Sequence, residues 1–194
     1  MTTTFVLTRK PDVLFTSSLS KSMKGRFGTL LVLQGGKIEK VAVSSGNTAS
    51  ASSGAIQIPA GVLDITTSDG SAVQELKRYT TIERMGGYVQ LKPQDFNGKH
   101  YKNGAYGIAF ETGNKVVATL RGTDGKCFRI YGGVTAQEQA ILIHEAPDVS
   151  WLIGCIGPRN LSDRSTGTSK TSHATMNELF SIFPRPSALF VLDW

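Results

Sequence analysis

The feature that most limits what this chain can fold into is a succession of short apolar runs closed by glycine-rich turns. Phe27 to Leu33 (Phe-Gly-Thr-Leu-Leu-Val-Leu) meets the turn Gln34-Gly35-Gly36-Lys37, and Ile38 to Ser44 returns with Ile38, Val41 and Val43 as its apolar positions. Runs of this length and composition read as strands, and this pair reads as a hairpin. Thr4 to Thr8 reads as a first strand ended by Pro11, because proline interrupts a ladder. Ile56 to Pro59 and Ala60 to Ile65 read as a turn and a further strand, and Tyr88 to Leu91, Tyr106 to Phe110, Val116 to Leu120, Phe128 to Tyr131 and Ser187 to Trp194 as others. Gly98, Gly104, Gly113 and Gly122 fall between them. Strands at this density imply a mainly β fold, either a sandwich or a distorted barrel.

One helix interrupts the pattern. Met176, Leu179, Phe180 and Phe183 recur at helical spacing, Ser172 stands where a cap is needed, and Pro184 and Pro186 stop the run. Its apolar stripe reads as core packing. The stretches 44–54 and 162–171 are polar, small-residue loops. With 194 residues and 40% hydrophobic content, the chain suits a single domain over 1–194 with a true core.

Charge and side-chain inventory narrow the function. A formal charge of +6 suits an anionic partner. No strand interleaves aromatic and basic residues, which argues against nucleic acid, and no glycine-rich loop opens a helix, which argues against a nucleotide cofactor. Three histidines without clustering argue against a metal, so no cofactor is expected. Cys127 and Cys155 are the only cysteines; no disulfide framework exists, and whether these two pair is left open. No run approaches the length of a membrane span. Met1 to Phe5 lacks a basic segment leading into an apolar one, so the expectation is synthesis in the cytoplasm without a signal peptide.

Two segments carry chemistry. Ile141-Leu142-Ile143-His144 delivers an imidazole at the end of an apolar run, and Gly154-Cys155-Ile156-Gly157 sets a thiol between glycines. A thiol nucleophile needs a base to take its proton and open backbone where a carbonyl can approach. The alternative is a buried cysteine acting as a small hydrophobe and a histidine that closes a strand. Glu145 and Asp148 flank the histidine, either as groups that orient its ring or as solvated carboxylates. Ser150 and Trp151 precede the cysteine as a hydroxyl and an aromatic wall for substrate, or as a surface serine and a packed ring. Cys127 opens a strand and reads as structural; His100 and His173 read as surface or capping residues.

In order along the chain, Phe27-Gly28-Thr29-Leu30, Val43-Ser44-Ser45-Gly46, Ile58-Pro59-Ala60-Gly61-Val62, Ile141-Leu142-Ile143-His144 and Gly154-Cys155-Ile156 resemble the landmarks of the L,D-transpeptidase-like (YkuD-type) domains. The resemblance covers roughly residues 25–160 and is closest to short phage-borne and bacterial forms, some of them exported antibacterial toxins. It implies a cysteine-dependent transpeptidase or carboxypeptidase acting on peptidoglycan stem peptides. In that scheme Cys155 attacks, His144 serves as base, and backbone N–H groups near Gly154 and Cys155 hold the oxyanion. It further implies action in the bacterial periplasm or cell wall after export or phage delivery, and partners such as an immunity, chaperone or phage structural protein. The family usually has Ser-His-Gly-Cys with a basic or amide residue two positions on. Here Leu152-Ile153-Gly154 precede the cysteine and Gly157 follows, leaving Arg159 to pair with a stem carboxylate. A domain that keeps this fold as a non-catalytic, wall- or partner-binding module of a phage particle or secretion system is the competing expectation.

Overall fold

The computed structural model describes residues 1–44, 54–59, 61–86, 90–93, 105–118, 124–132 and 140–193. The protein is mainly β. Its strands are β1 (Thr2–Thr16), β2 (Lys24–Gly35), β3 (Ile38–Ser44), β4 (Gly54–Ile58), β5 (Gly61–Thr67), β6 (Val73–Met85), β7 (Ala105–Glu111), β8 (Cys127–Tyr131), β9 (Leu142–Ile143), β10 (Ile156–Arg159) and β11 (Leu189–Asp193). Two helices are described, α1 (Lys115–Ala118) and α2 (Ser172–Ile182). Eight strands close into a barrel in the order β1-β11-β7-β8-β9-β10-β6-β2, and β3-β5-β4 form a second sheet. Of the expected alternatives, the closed barrel with an added sheet is the architecture found. The pairs β1–β11 and β9–β10 are parallel; the others in the barrel are antiparallel.

Strand alternation explains the core. Phe5 and Leu7 of β1, Leu30 and Val32 of β2, Ile143 of β9, Ile156 of β10 and Val191 of β11 point into the barrel. Val6, Leu31, Leu33, Phe190 and Leu192 point outward into a second apolar cluster with Val41, Leu63 and Ile65 of the smaller sheet. Burial on both faces accounts for the unbroken run Leu30 to Leu33, as in any strand covered on two sides. Helix α2 adds Met176 and Leu179 to the barrel cluster, and Phe183, just past its end, joins them. In one interior layer, Arg9 and Arg26 pair with Glu83 at 3.0 and 3.1 Å and also meet Asp193.

Several sequence expectations are corrected. Strands β2 and β3 do not form a hairpin, because β1 and β6 occupy both edges of β2 and β3 pairs with β5 instead. Pro11 does not end β1; it falls where the register shifts between Arg9 and Leu14, and pairing with β2 then resumes. The expected strand at 116–120 begins as helix α1, started by Asn114, whose Oδ1 accepts from the backbone N–H groups of Val116 and Val117 at 3.0 and 3.3 Å. Its last two residues lie outside the described ones, as do Tyr88, Val89, His100, Gly98, Gly104 and Gly122. Gln90 and Leu91 form no strand, although Leu91 is buried in the barrel cluster. Thr171, not Ser172, is the residue preceding α2, and it makes no side-chain cap.

Candidate functional site

Strand β9 puts Ile143 inside the barrel, so its neighbours Leu142 and His144 face outward. Ile143 registers with Ile156 of β10. One residue on, the parallel ladder continues through His144 N–H to the carbonyl of Ile156 at 3.0 Å. One residue back, Leu142 N–H reaches Cys155 Sγ at 3.4 Å. His144 and Cys155 therefore share the outer face of adjoining strands on a diagonal. Strand spacing and rise put their backbones about 8 Å apart. No hydrogen bond joins ring and sulfur among the described residues: the sulfur's partner is Leu142 N–H, and Nδ1 lies 2.7 Å from the carbonyl of Glu145.

Two glycines shape this seam. Gly154 adopts φ +78°, a conformation that L-residues with a side chain enter at a cost, and so turns the chain into Cys155. At Gly157 a Cβ would fall 2.5 Å from the Cβ of Ala146; the segment after His144 lies directly on β10. Between the His144 and Cys155 segments, Asp148 starts the turn Val149–Trp151 by accepting from Ser150 N–H at 2.9 Å and from the Ser17 hydroxyl at 3.0 Å. Ser172 ties the two segments together. Its hydroxyl accepts from Ala146 N–H at 2.8 Å and donates to the Pro158 carbonyl at 3.1 Å.

The electrostatics follow from burial. His144 is 2% exposed, and desolvation lowers its pKa to about 4, against the Glu145 carbonyl, which raises it. The neutral ring gives Nδ1–H to that carbonyl, which leaves Nε2 as the proton acceptor. Cys155 is 6% exposed; burial pushes its thiol up, partly offset by the N–H groups of Leu142 and Ile153. At neutral pH the pair is thiol and neutral imidazole, so proton removal has to accompany attack.

The remaining expected residues fall as follows. Glu145 holds His173 Nδ1 at 2.8 Å and Asp148 caps its turn, so neither carboxylate orients the His144 ring; a backbone carbonyl does. Arg159 is fully buried, with its guanidinium donating to the carbonyls of Ser165, Ala146 and Pro147 at 2.7, 3.4 and 3.3 Å. It clasps two loops and is not presented to a carboxylate from outside. Ser150 is exposed, and Trp151 packs half-buried against the cluster containing Cys155. Cys127 is buried and free, as is Cys155. With β9 between their strands, the two are about 9.6 Å apart laterally, beyond disulfide reach.

Sequence reasoning missed two groups. Ser172 serves as a staple rather than a cap. The register Phe128↔Ile143, carried one residue on, sets Cys127 directly beside His144; only the strand pairing carries that signal. Burial raises the Cys127 thiol to about 12, with Glu111 adding to the effect. No group of three His, Cys, Asp or Glu able to hold a metal occurs among the described residues, and no helix among them is long and apolar enough to cross a membrane. No protein-family model matches the chain, and neither the curated proteins nor the solved structures compared with it include a similar one.

Proposed function

We propose that the chain is a cysteine-dependent acyl-transfer enzyme of the L,D-transpeptidase-like kind, acting on the peptide stems of bacterial peptidoglycan. The observation that carries this reading is the seam between β9 and β10, where His144 and Cys155 share one outer face. Cys155 Sγ attacks the stem carbonyl while Nε2 of His144 takes the thiol proton. Backbone N–H groups around Gly154 and Cys155 receive the oxyanion. Collapse breaks the peptide C–N bond; the departing amine takes the proton back from Nε2, and the acyl group stays on sulfur as a thioester. A second amine, or water, releases it. Because Cys155 is nearly covered, substrate has to displace part of the 145–154 segment. On this reading the protein acts in the periplasm or cell wall after export or phage delivery, with an immunity, chaperone or phage structural protein as partner.

The same burial favours a second reading, a non-catalytic wall- or partner-binding module that keeps the fold. Incubation with tetrapeptide-stem muropeptides separates the two. The enzyme releases terminal D-alanine or exchanges it for a free D-amino acid, and Cys155→Ser and His144→Ala each abolish the change in mass. Unchanged muropeptides, together with alkylation of both thiols at the slow rate of ordinary buried cysteines, establish the binding module instead.

A further inference from the structure

We infer that the open edge of β7 takes an extended, acidic peptide segment of a partner protein as an added strand. Barrel closure between β7 and β11 rests on two pairs, Tyr106↔Leu189 and Ala105↔Phe190. Strand β7 then runs on from Gly107 to Glu111 with β8 along its other side. The seam itself fixes which way its main-chain groups point. Phe5 N–H donates to the Ala188 carbonyl at 2.9 Å, so Ala188 bonds toward β1 and, by alternation, Leu189 toward β7. Tyr106 therefore bonds toward Leu189, and the N–H and C=O of Ile108 and Phe110 point to the same side. Gly107, Ala109 and Glu111 serve β8 instead.

The chain ahead of β11 does not close this edge. Carried on, the register sets Ser187 against Ile108 and Arg185 against Phe110. Ser187 N–H is spent on the Thr3 carbonyl at 2.7 Å, and its hydroxyl donates to the same carbonyl at 2.9 Å. Pro184 and Pro186 have no N–H to offer either neighbour. Among the described residues no main-chain group bonds Ile108 or Phe110 from this side. A groove of about 530 Å³ lies between them and Pro184–Pro186. Donors and acceptors at every second residue are the template for one more strand. The walls set its side chains. Phe110 is 38% exposed, its ring 5.2 Å from that of Phe180, and with the two prolines it offers an apolar surface to alternate residues of the incoming strand. Arg185 lines the same groove, is exposed, and pairs with no carboxylate among the described residues. That cation, on a chain of formal charge +6, favours an acidic strand over a basic one.

The assignment does not depend on the thiol chemistry, and its test needs no turnover. Amide exchange of the full chain is read first: Ile108 and Phe110 are expected to exchange fast while Gly107, Ala109 and Glu111 are protected. The chain is then titrated with acetyl-Asp-Val-Thr-Val-Asp-amide, with the same peptide N-methylated at its three central residues, and with the counterpart carrying lysine for aspartate. Saturable shifts at Ile108, Phe110 and Arg185, with slowed exchange of the first two amides, are expected for the acidic peptide alone. Arg185→Glu weakens it about tenfold, the loss of one charge contact, and turns the preference toward the lysine peptide. Equal binding of the N-methylated or lysine peptide, slow exchange of Ile108 and Phe110 in the free chain, or no saturable shift each overturns the site. So does a dimer of this chain that protects the same two amides in the peptide's place.

Discussion

The barrel contains two parallel seams, and they are built for different purposes. Along β1–β11 five residue pairs are in register, from Phe5↔Leu189 to Arg9↔Asp193. That seam is buried inside by the barrel cluster and outside by the smaller sheet's cluster. Along β9–β10 a single pair is in register, Ile143↔Ile156, and the positions beside it are filled by a histidine and a cysteine. Parallel pairing costs long connections. The long seam offsets this with apolar burial on both faces, whereas the short one relies on individual polar ties: the Ser172 staple, the Arg159 clasp and the Asp148 turn. Such a seam can open locally without undoing the barrel.

The largest expected effect lies in the long seam. Leu7 is fully buried and registers with Val191 on one side and Leu30 on the other. Leu7→Ala is expected to cost about 2–5 kcal/mol in urea unfolding, while the alkylation rate of Cys155 in the folded protein is unchanged. A loss below about 1 kcal/mol would remove this seam as the main support of the fold.

A somewhat smaller effect belongs to the short seam and appears as acid sensitivity. His144 is held at a pKa of about 4 in the folded chain against 6.5 for the free side chain. Between those values the unfolded chain binds more protons, so stability falls as pH drops from about 6.5 toward 4 and is fully present above that window. The separation corresponds to roughly 3 kcal/mol. His144→Asn keeps a donor for the Glu145 carbonyl but does not titrate. Urea unfolding of both proteins across this range should show a steeper decline for the wild type, and parallel curves would contradict a buried neutral ring.

The two seams also differ in how far the sequence reveals them. Strand runs around Phe5, Leu30 and Phe190 are plain, since residues buried on both faces leave continuous apolar stretches. Their pairing is not: β2 followed by β3 has every local mark of a hairpin, and only the occupied edges of β2 forbid it. At the site, His144 and Cys155 stand out by type and by their glycines. Their partners do not, because a backbone carbonyl, the Ser172 hydroxyl and the clasp of Arg159 are contacts made by folding. Cys127 beside His144 is invisible for the same reason. The Arg9–Glu83–Arg26–Asp193 layer is equally hidden, since its members lie on four strands far apart in sequence.

The smallest effect isolates the turn that aims Cys155. Gly154 at φ +78° and Gly70 at φ +71° share a left-handed backbone, but Gly70 has nothing within 4 Å of a built Cβ and sits far along the chain from either seam. Alanine at Gly70 should cost about 1–2 kcal/mol through backbone strain alone, and at the buried Gly154 at least as much, each seen as a shift of the urea midpoint. Only Gly154→Ala should change the alkylation rate of Cys155, because relaxing that residue toward negative φ swings the next one off its position beside Leu142. Equal alkylation in both variants would mean that the turn does not position the thiol, and that the short seam is held, like the long one, by its strands alone.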